Sequence, residues 1–135
     1  MAVEYSFLTP EIGASVTSSV DEILKPESGA QLRELLRERG VLVFKKLDLT
    51  TDQQVALARN MGNVREEGVG NIFKITLDTK LNASADYLKG SFLWHMDGTH
   101  DDIPVFASLL SGRKLSAIGG QTEFANSYAP YGALS

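Results

Sequence analysis

Residues 28 to 62 hold the feature that most constrains this fold: two helix-length segments, each closed by a glycine, with a β-branched run between them. "SGAQLRELLRERG" places Leu32, Leu35 and Leu36 on one helical face and arginine and glutamate on the other, so it predicts an amphipathic helix. Gly40 supplies the stop, because glycine enters the left-handed C′ conformation without a Cβ penalty. "VLVFKKL" then predicts a buried strand, being β-branched and aromatic. "LTTDQQVALARNMG" predicts a second helix. Thr51 caps it with Gln54 three residues on, Val55, Leu57, Ala58 and Met61 form its apolar side, and Gly62 ends it.

Outside that stretch the pattern favours strands. "VEYSFL" alternates apolar and polar side chains over residues 3 to 8 and stops before Pro10. "IGASVTSSVDEIL" is rich in small residues and reads as loop or weak structure. "GNIFKITLDT" predicts a strand, although Ile72 and Ile75 break strict alternation. Residues 80 to 91 are polar and glycine-containing, the composition of a loop. "PVFASLLSGRKL" predicts a strand, "GGQTEFANS" a glycine-led turn into another, and "YAPYGALS" the start of a helix. Strands outnumber helices in this reading, and the helices cluster early. The predicted class is α+β, mainly β: an antiparallel β core with helices packed on one side.

A chain of 135 residues fits one domain, taken here as residues 1–135, and is long enough to bury a core. Its composition, 43% hydrophobic and 22% charged, is that of a folded globular protein. The net charge of −4 arises from 17 acidic and 13 basic side chains without long runs, which gives no electrostatic case for nucleic acid or an anionic membrane as partner. Without cysteine, disulfides and thiolate metal sites are excluded. "MAVEYSFLTPEIG" lacks the basic-then-apolar pattern of a signal peptide, and no apolar run approaches the roughly 20 residues that span a bilayer. The expectation is a soluble, cytoplasmic protein.

Chemistry concentrates in "FLWHMDGTHDD", residues 92 to 102, which contains both histidines of the chain. His95 and Asp97 are one residue apart, so an extended segment projects both from the same face. An imidazole and a carboxylate there offer two ligands to a divalent ion such as Fe(II), Mn(II) or Zn(II). Trp94 and Met96 would point the other way into apolar packing, and Gly98 would let the chain turn after the second ligand. A bare His-x-Asp also arises by chance in polar loops, which is the competing reading. A calcium loop is disfavoured because Asp97 to Asp102 lack the D-x-[DN]-x-[DN]-G order. A zinc hydrolase would need more histidines than the chain has. His100 falls on the wrong parity for the ligand face and is expected near the substrate or simply exposed. Tyr87 and Phe92, just before the motif, are candidates for the substrate pocket, although aromatics at such spacing more often serve packing.

"WHMDGTHDDIP" followed by "ASLLSGRKLSAIGGQTEFANSYAPYGALS" resembles the Fe(II)- and 2-oxoglutarate-dependent dioxygenases of the taurine dioxygenase and 2,4-dichlorophenoxyacetate dioxygenase (TauD/TfdA) group. That family shows W-H-x-D, then a proline and a strand, then "GG-D-T-x-F" and "AYEALS". "IGASV" and "RGVLVFKKLDLTTDQQVALARNMGNV" also fit its N-terminal strand and helices. The resemblance runs over nearly the whole chain. It implies that His95 and Asp97 are the first two ligands of a 2-His-1-carboxylate triad and that Thr122 bonds the distal carboxylate of the cosubstrate. It implies Fe(II), 2-oxoglutarate and O2 as cofactor and cosubstrates, a small-molecule substrate, and a double-stranded β-helix (jelly roll) core with the N-terminal helices packed on it.

Two positions depart from the family pattern without touching a ligand: Gln121 stands where aspartate is usual and Gly132 where glutamate is common. The larger departure is that the family's third ligand, a downstream histidine, and the arginine that forks onto the cosubstrate have no match within these residues. Arg113 precedes Thr122 and does not fill that role. The resemblance therefore implies an N-terminal portion of such an enzyme, with an incomplete jelly roll and little or no turnover alone. Unpaired strand edges also imply self-association, with a homo-oligomer as one form of it, or poor solubility. A non-catalytic binding module with a vestigial motif, or a zinc-dependent hydrolase, stands as the alternative.

Overall fold

Pro26 begins the longest helix, where its missing N–H is no loss and its fixed φ suits the first helical position. The computed structural model describes residues 2–66, 70–82, 85 and 87–134, without the side chains of Tyr87, Lys89 and Ser91. Its elements run β1 (Tyr5–Phe7), β2 (Ala14–Val16), α1 (Val20–Ile23), α2 (Pro26–Arg39), β3 (Leu42–Phe44), α3 (Thr51–Met61), a 3-10 helix (Tyr87–Phe92) and α4 (Tyr128–Gly132). The chain divides into two compact units, Met1–Val64 with Arg113–Ser135, and Arg65–Gly112.

In the first unit β2 is the middle strand. It pairs antiparallel with β1, Ser6 opposite Ser15, and parallel with β3, Ser15 opposite Val43. A parallel pair needs a crossover, and α1 with α2 provides it. Ala14 and Val16 are buried from this central strand, Leu32 and Leu35 from α2, and Val55, Leu57 and Met61 from α3. Helices α2 and α3 approach closely at Gly29, where an added Cβ would collide with the backbone carbonyl of Asn60. The Asn60 side-chain amide reaches across to donate to the Leu24 carbonyl at 2.7 Å. Gly40 ends α2 as expected, at φ +71° and with its N–H on the Leu36 carbonyl.

Arg39, only 7% exposed, ties the β1–β2 connection to the end of α2. Its Nη2 donates to the carbonyls of Thr9 (2.6 Å) and Pro10 (3.1 Å), and its guanidinium lies 4.1 Å from the centre of the Phe7 ring. Carbonyl oxygens and a ring face thus replace water around a buried cation.

Several expectations are corrected. "IGASVTSSVDEIL" is not loop: it holds the central strand β2 and helix α1, whose Ser19–Glu22 capping box satisfies the first free N–H groups. Its small residues suit a strand squeezed between two others. The cap of α3 is Thr50 with Gln53, one residue before the pair chosen from sequence. The Thr-Thr and Gln-Gln doublets satisfy the pattern in either register, and the extended backbone of Thr50 (ψ 165°) decides it. The sheet is mixed rather than wholly antiparallel. The strands expected in residues 70–79, 104–115 and 120–127 form no ladder among the described residues, apart from an isolated bridge at Ile72. Helices therefore outnumber strands here. An extended run becomes a strand only where another backbone accepts its hydrogen bonds. No described helix is long and apolar enough to cross a membrane.

Candidate metal site

The histidine motif lies in the second unit, after the 3-10 helix Tyr87–Phe92, whose last turn is closed by Leu93 N–H on the Gly90 carbonyl (3.1 Å). Residues 94 to 96 leave that turn without ladder partners, and Asp97 opens a turn closed by Asp101 N–H on the Gly98 carbonyl (3.2 Å). Gly98 is needed there: its φ is +61°, and a Cβ would stand 2.6 Å from Val105 Cγ2 and 2.9 Å from Asp101 Oδ2. Arg65 pairs with Asp101 at 2.6 Å on the far side of the turn.

His95 and Asp97 come together as the spacing predicts, with His95 Nε2 3.3 Å from Asp97 Oδ1. The other imidazole nitrogen, Nδ1, lies 2.7 Å from the Leu93 carbonyl. A carbonyl only accepts, so Nδ1 carries the hydrogen. In the neutral ring Nε2 is then a lone pair facing a carboxylate oxygen. A metal ion placed between those two acceptors could be held by both. Two neighbouring ligands each about 2.1 Å from an octahedral ion lie about 3 Å apart, so the pair is spaced to share one. Both side chains are roughly half exposed, which leaves the ion side accessible. The second Asp97 oxygen, Oδ2, accepts a hydrogen bond from Ser108 Oγ at 2.8 Å.

The remaining predicted residues do not join them. Among the described residues no group of three or more histidine and acidic side chains gathers around a common point, His100 included. His100 and Phe92 are exposed, and the Tyr87 side chain lies outside the described residues. Trp94 and Met96, expected in apolar packing, are 71% and 73% exposed, because no described sheet or helix covers that face. Thr122 belongs to the other unit, exposed in an extended stretch that follows the consecutive positive-φ glycines Gly119 (+72°) and Gly120 (+76°). Sequence reasoning missed Ser108 and the Leu93 carbonyl. Ser108 lies eleven positions after Asp97, across a turn and irregular chain, and no periodicity carries that distance.

Comparison with known proteins gives a consistent picture. The profile described as "Taurine catabolism dioxygenase TauD, TfdA family" matches residues 4–135. The chain is 31% identical to an (S)-phenoxypropionate/alpha-ketoglutarate-dioxygenase of Sphingobium herbicidovorans, over 98% of this chain and 48% of that protein. It is 30% identical to an alpha-ketoglutarate-dependent 2,4-dichlorophenoxyacetate dioxygenase of Cupriavidus pinatubonensis, over 99% of this chain and 53% of that protein. The chain thus spans about half the length of the curated relatives it matches. Its fold is similar to that in the crystal structure of AAD-2 in complex with Mn(II) and N-oxalylglycine, with a TM-score of 0.58 and 24% identity, over 77% of this chain and 35% of the other.

Proposed function

This chain belongs to the taurine catabolism dioxygenase TauD, TfdA family, and on that premise we propose that residues 1–135 carry the first two iron ligands of an Fe(II)- and 2-oxoglutarate-dependent oxygenase acting on a small organic substrate. The observation that supports this most is the pairing of His95 Nε2 with Asp97 Oδ1 at 3.3 Å while His95 Nδ1 is committed to a carbonyl. That leaves an imidazole lone pair and a carboxylate facing one position. Bound Fe(II) would supply the chemistry there, coupling O2-dependent hydroxylation of substrate to decarboxylation of 2-oxoglutarate to succinate.

The chain's own part is to hold and orient. His95 and Asp97 would be two of the residues that hold the metal ion, and Thr122 is the residue that, on the family resemblance, would donate its hydroxyl to the distal carboxylate of 2-oxoglutarate. His95 and His100 are the two histidines present, and His100 stands outside the site. On this reading a third ligand, and the arginine that would pair with the cosubstrate, would have to be supplied from outside residues 1–135. The strand-forming runs 104–115 and 120–127, whose large apolar side chains Phe106, Leu110, Leu115 and Phe124 are exposed, become strands of a jelly roll when partner strands from outside these residues add to them.

Titration with Fe(II) under anaerobic conditions tests the reading. Weak binding by the 135-residue chain, abolished by His95→Ala, is the expected result. Equal affinity with and without His95 would overturn it. Succinate release from 2-oxoglutarate by this chain alone is expected to be slight or nil, and robust turnover would overturn the claim that a further ligand is required. Phenoxypropionate and 2,4-dichlorophenoxyacetate, named for the relatives, are the first primary substrates to supply.

A further inference from the structure

The two oxygens of Asp97 have different partners. Oδ1 faces His95 Nε2 at 3.3 Å, and Oδ2 accepts from Ser108 Oγ at 2.8 Å. We propose that Ser108 is a positioning residue for the metal carboxylate: its hydroxyl holds Oδ2 so that Asp97 offers Oδ1 alone to the ion. The proposal rests on the reading of His95 and Asp97 as metal ligands and adds to it how the second ligand is aimed.

An exposed aspartate is free to rotate about both side-chain bonds, and its carboxylate can bind a cation through one oxygen or two. A hydroxyl on one oxygen removes that freedom and leaves a single oxygen for the metal. The position a two-oxygen ligand would have taken then stays open for other groups. His95 is treated in parallel, since the Leu93 carbonyl fixes its ring and its tautomer. Each ligand of the pair thus has an outer partner of the kind that sets metal affinity elsewhere.

The local backbone explains how a residue eleven positions away reaches Asp97. Gly98 reverses the chain at φ +61°, Asp101 closes the turn onto the Gly98 carbonyl, and Val105 packs against Gly98 where a Cβ would otherwise sit. The Arg65–Asp101 ion pair, 2.6 Å, braces the turn. Ser108 arrives beside Asp97 as a result. Its hydroxyl is exposed, so burial does not compel it to find a partner.

Mn(II) affinity, read from the electron paramagnetic resonance signal of the free ion, tests this with four versions of the chain: unsubstituted, Asp97→Ala, Ser108→Val and Ser108→Thr. Valine and threonine have nearly the same shape and differ in the hydroxyl, so steric effects cancel between them. The expected result is loss of binding in Asp97→Ala, a fall of about 10- to 100-fold in Ser108→Val, and recovery in Ser108→Thr. Unchanged affinity in Ser108→Val, alongside loss in Asp97→Ala, overturns the role of Ser108 and leaves the metal site standing. Equal losses in the valine and threonine versions also overturn it, since shape and not the hydroxyl would be responsible. No binding by the unsubstituted chain, or no loss in Asp97→Ala, overturns the metal reading and this proposal with it.

Discussion

Residues 3–62 and residues 92–118 both carry many aliphatic and aromatic side chains, but only the first stretch buries aliphatic ones in a core. Val3, Ala14, Val16, Ile23, Leu32, Leu35, Val55, Leu57 and Met61 form a core drawn from one strand, three helices and Val3 two residues before β1. In the second stretch Phe92, Leu93, Trp94, Met96, Ile103, Phe106, Leu110, Leu115 and Ile118 are all exposed. The difference teaches that the N-terminal layer is closed by its own contacts, whereas the segment carrying the His95–Asp97 pair is held by polar links at a turn: Ser108–Asp97, Arg65–Asp101 and the Leu93 carbonyl on His95. Apolar burial of the kind in the first stretch is worth about 25 cal/mol per Å², while exposed polar links contribute far less.

The sharpest way to break this comparison is a matched pair of truncations. Leu32, fully buried, changed to alanine is expected to cost about 2–5 kcal/mol in urea unfolding. Ile118, 91% exposed, changed to alanine should stay within about 0.5 kcal/mol. A comparable loss at both positions would show that the second stretch is packed after all.

A smaller contrast uses two arginines. Arg39→Met removes two charge-assisted bonds to the Thr9 and Pro10 carbonyls and is expected to cost about 1–3 kcal/mol. Part of that loss is offset, because Arg39 Nε is buried without a hydrogen-bond partner and methionine carries no such penalty. Arg65→Met removes a largely exposed ion pair and should change thermal stability by no more than about 1 kcal/mol.

Effects at the helix caps of the first stretch are also modest. Thr50→Ala deletes the side-chain acceptor for the Gln53 N–H and is expected to cost about 1 kcal/mol by chemical denaturation. At the other box, hydrogen bonds from the Ser19 backbone N–H and hydroxyl hold the Glu22 carboxyl below the usual glutamate range. A depressed carboxyl contributes stability above its unfolded pKa and loses it as pH falls through the folded value. Ser19→Ala removes the hydroxyl but keeps the backbone N–H, the larger cause, so the Glu22 midpoint should rise only part of the way in an NMR titration, and an unmoved midpoint would show that the hydroxyl contributes nothing.

Some of this was legible because it is local. Gly40 had to end α2, since glycine takes φ +71° without penalty, and the face Leu32–Leu35 followed from helical period. The His95–Asp97 pair was legible for the same reason: two residues in near-extended chain lie within reach of each other wherever the segment goes. What failed depended on distant partners. β2 looked like loop because Ala14, Ser15 and Val16 give little strand signal, and it is a strand because β1 and β3 flank it. Residues 104–115 looked like strand and form none among the described residues, because strand propensity describes a fit to neighbours that this stretch does not meet.

The sequence by itself determined the two longer helices, their glycine ends and the adjacency of an imidazole and a carboxylate, because each is fixed by geometry within a few residues. Only the tertiary structure decided that β2 lies between β1 and β3 and that Ser108 returns across the Gly98 turn to hold the second oxygen of Asp97. Those are contacts between positions whose spacing the chain's own periodicity does not set.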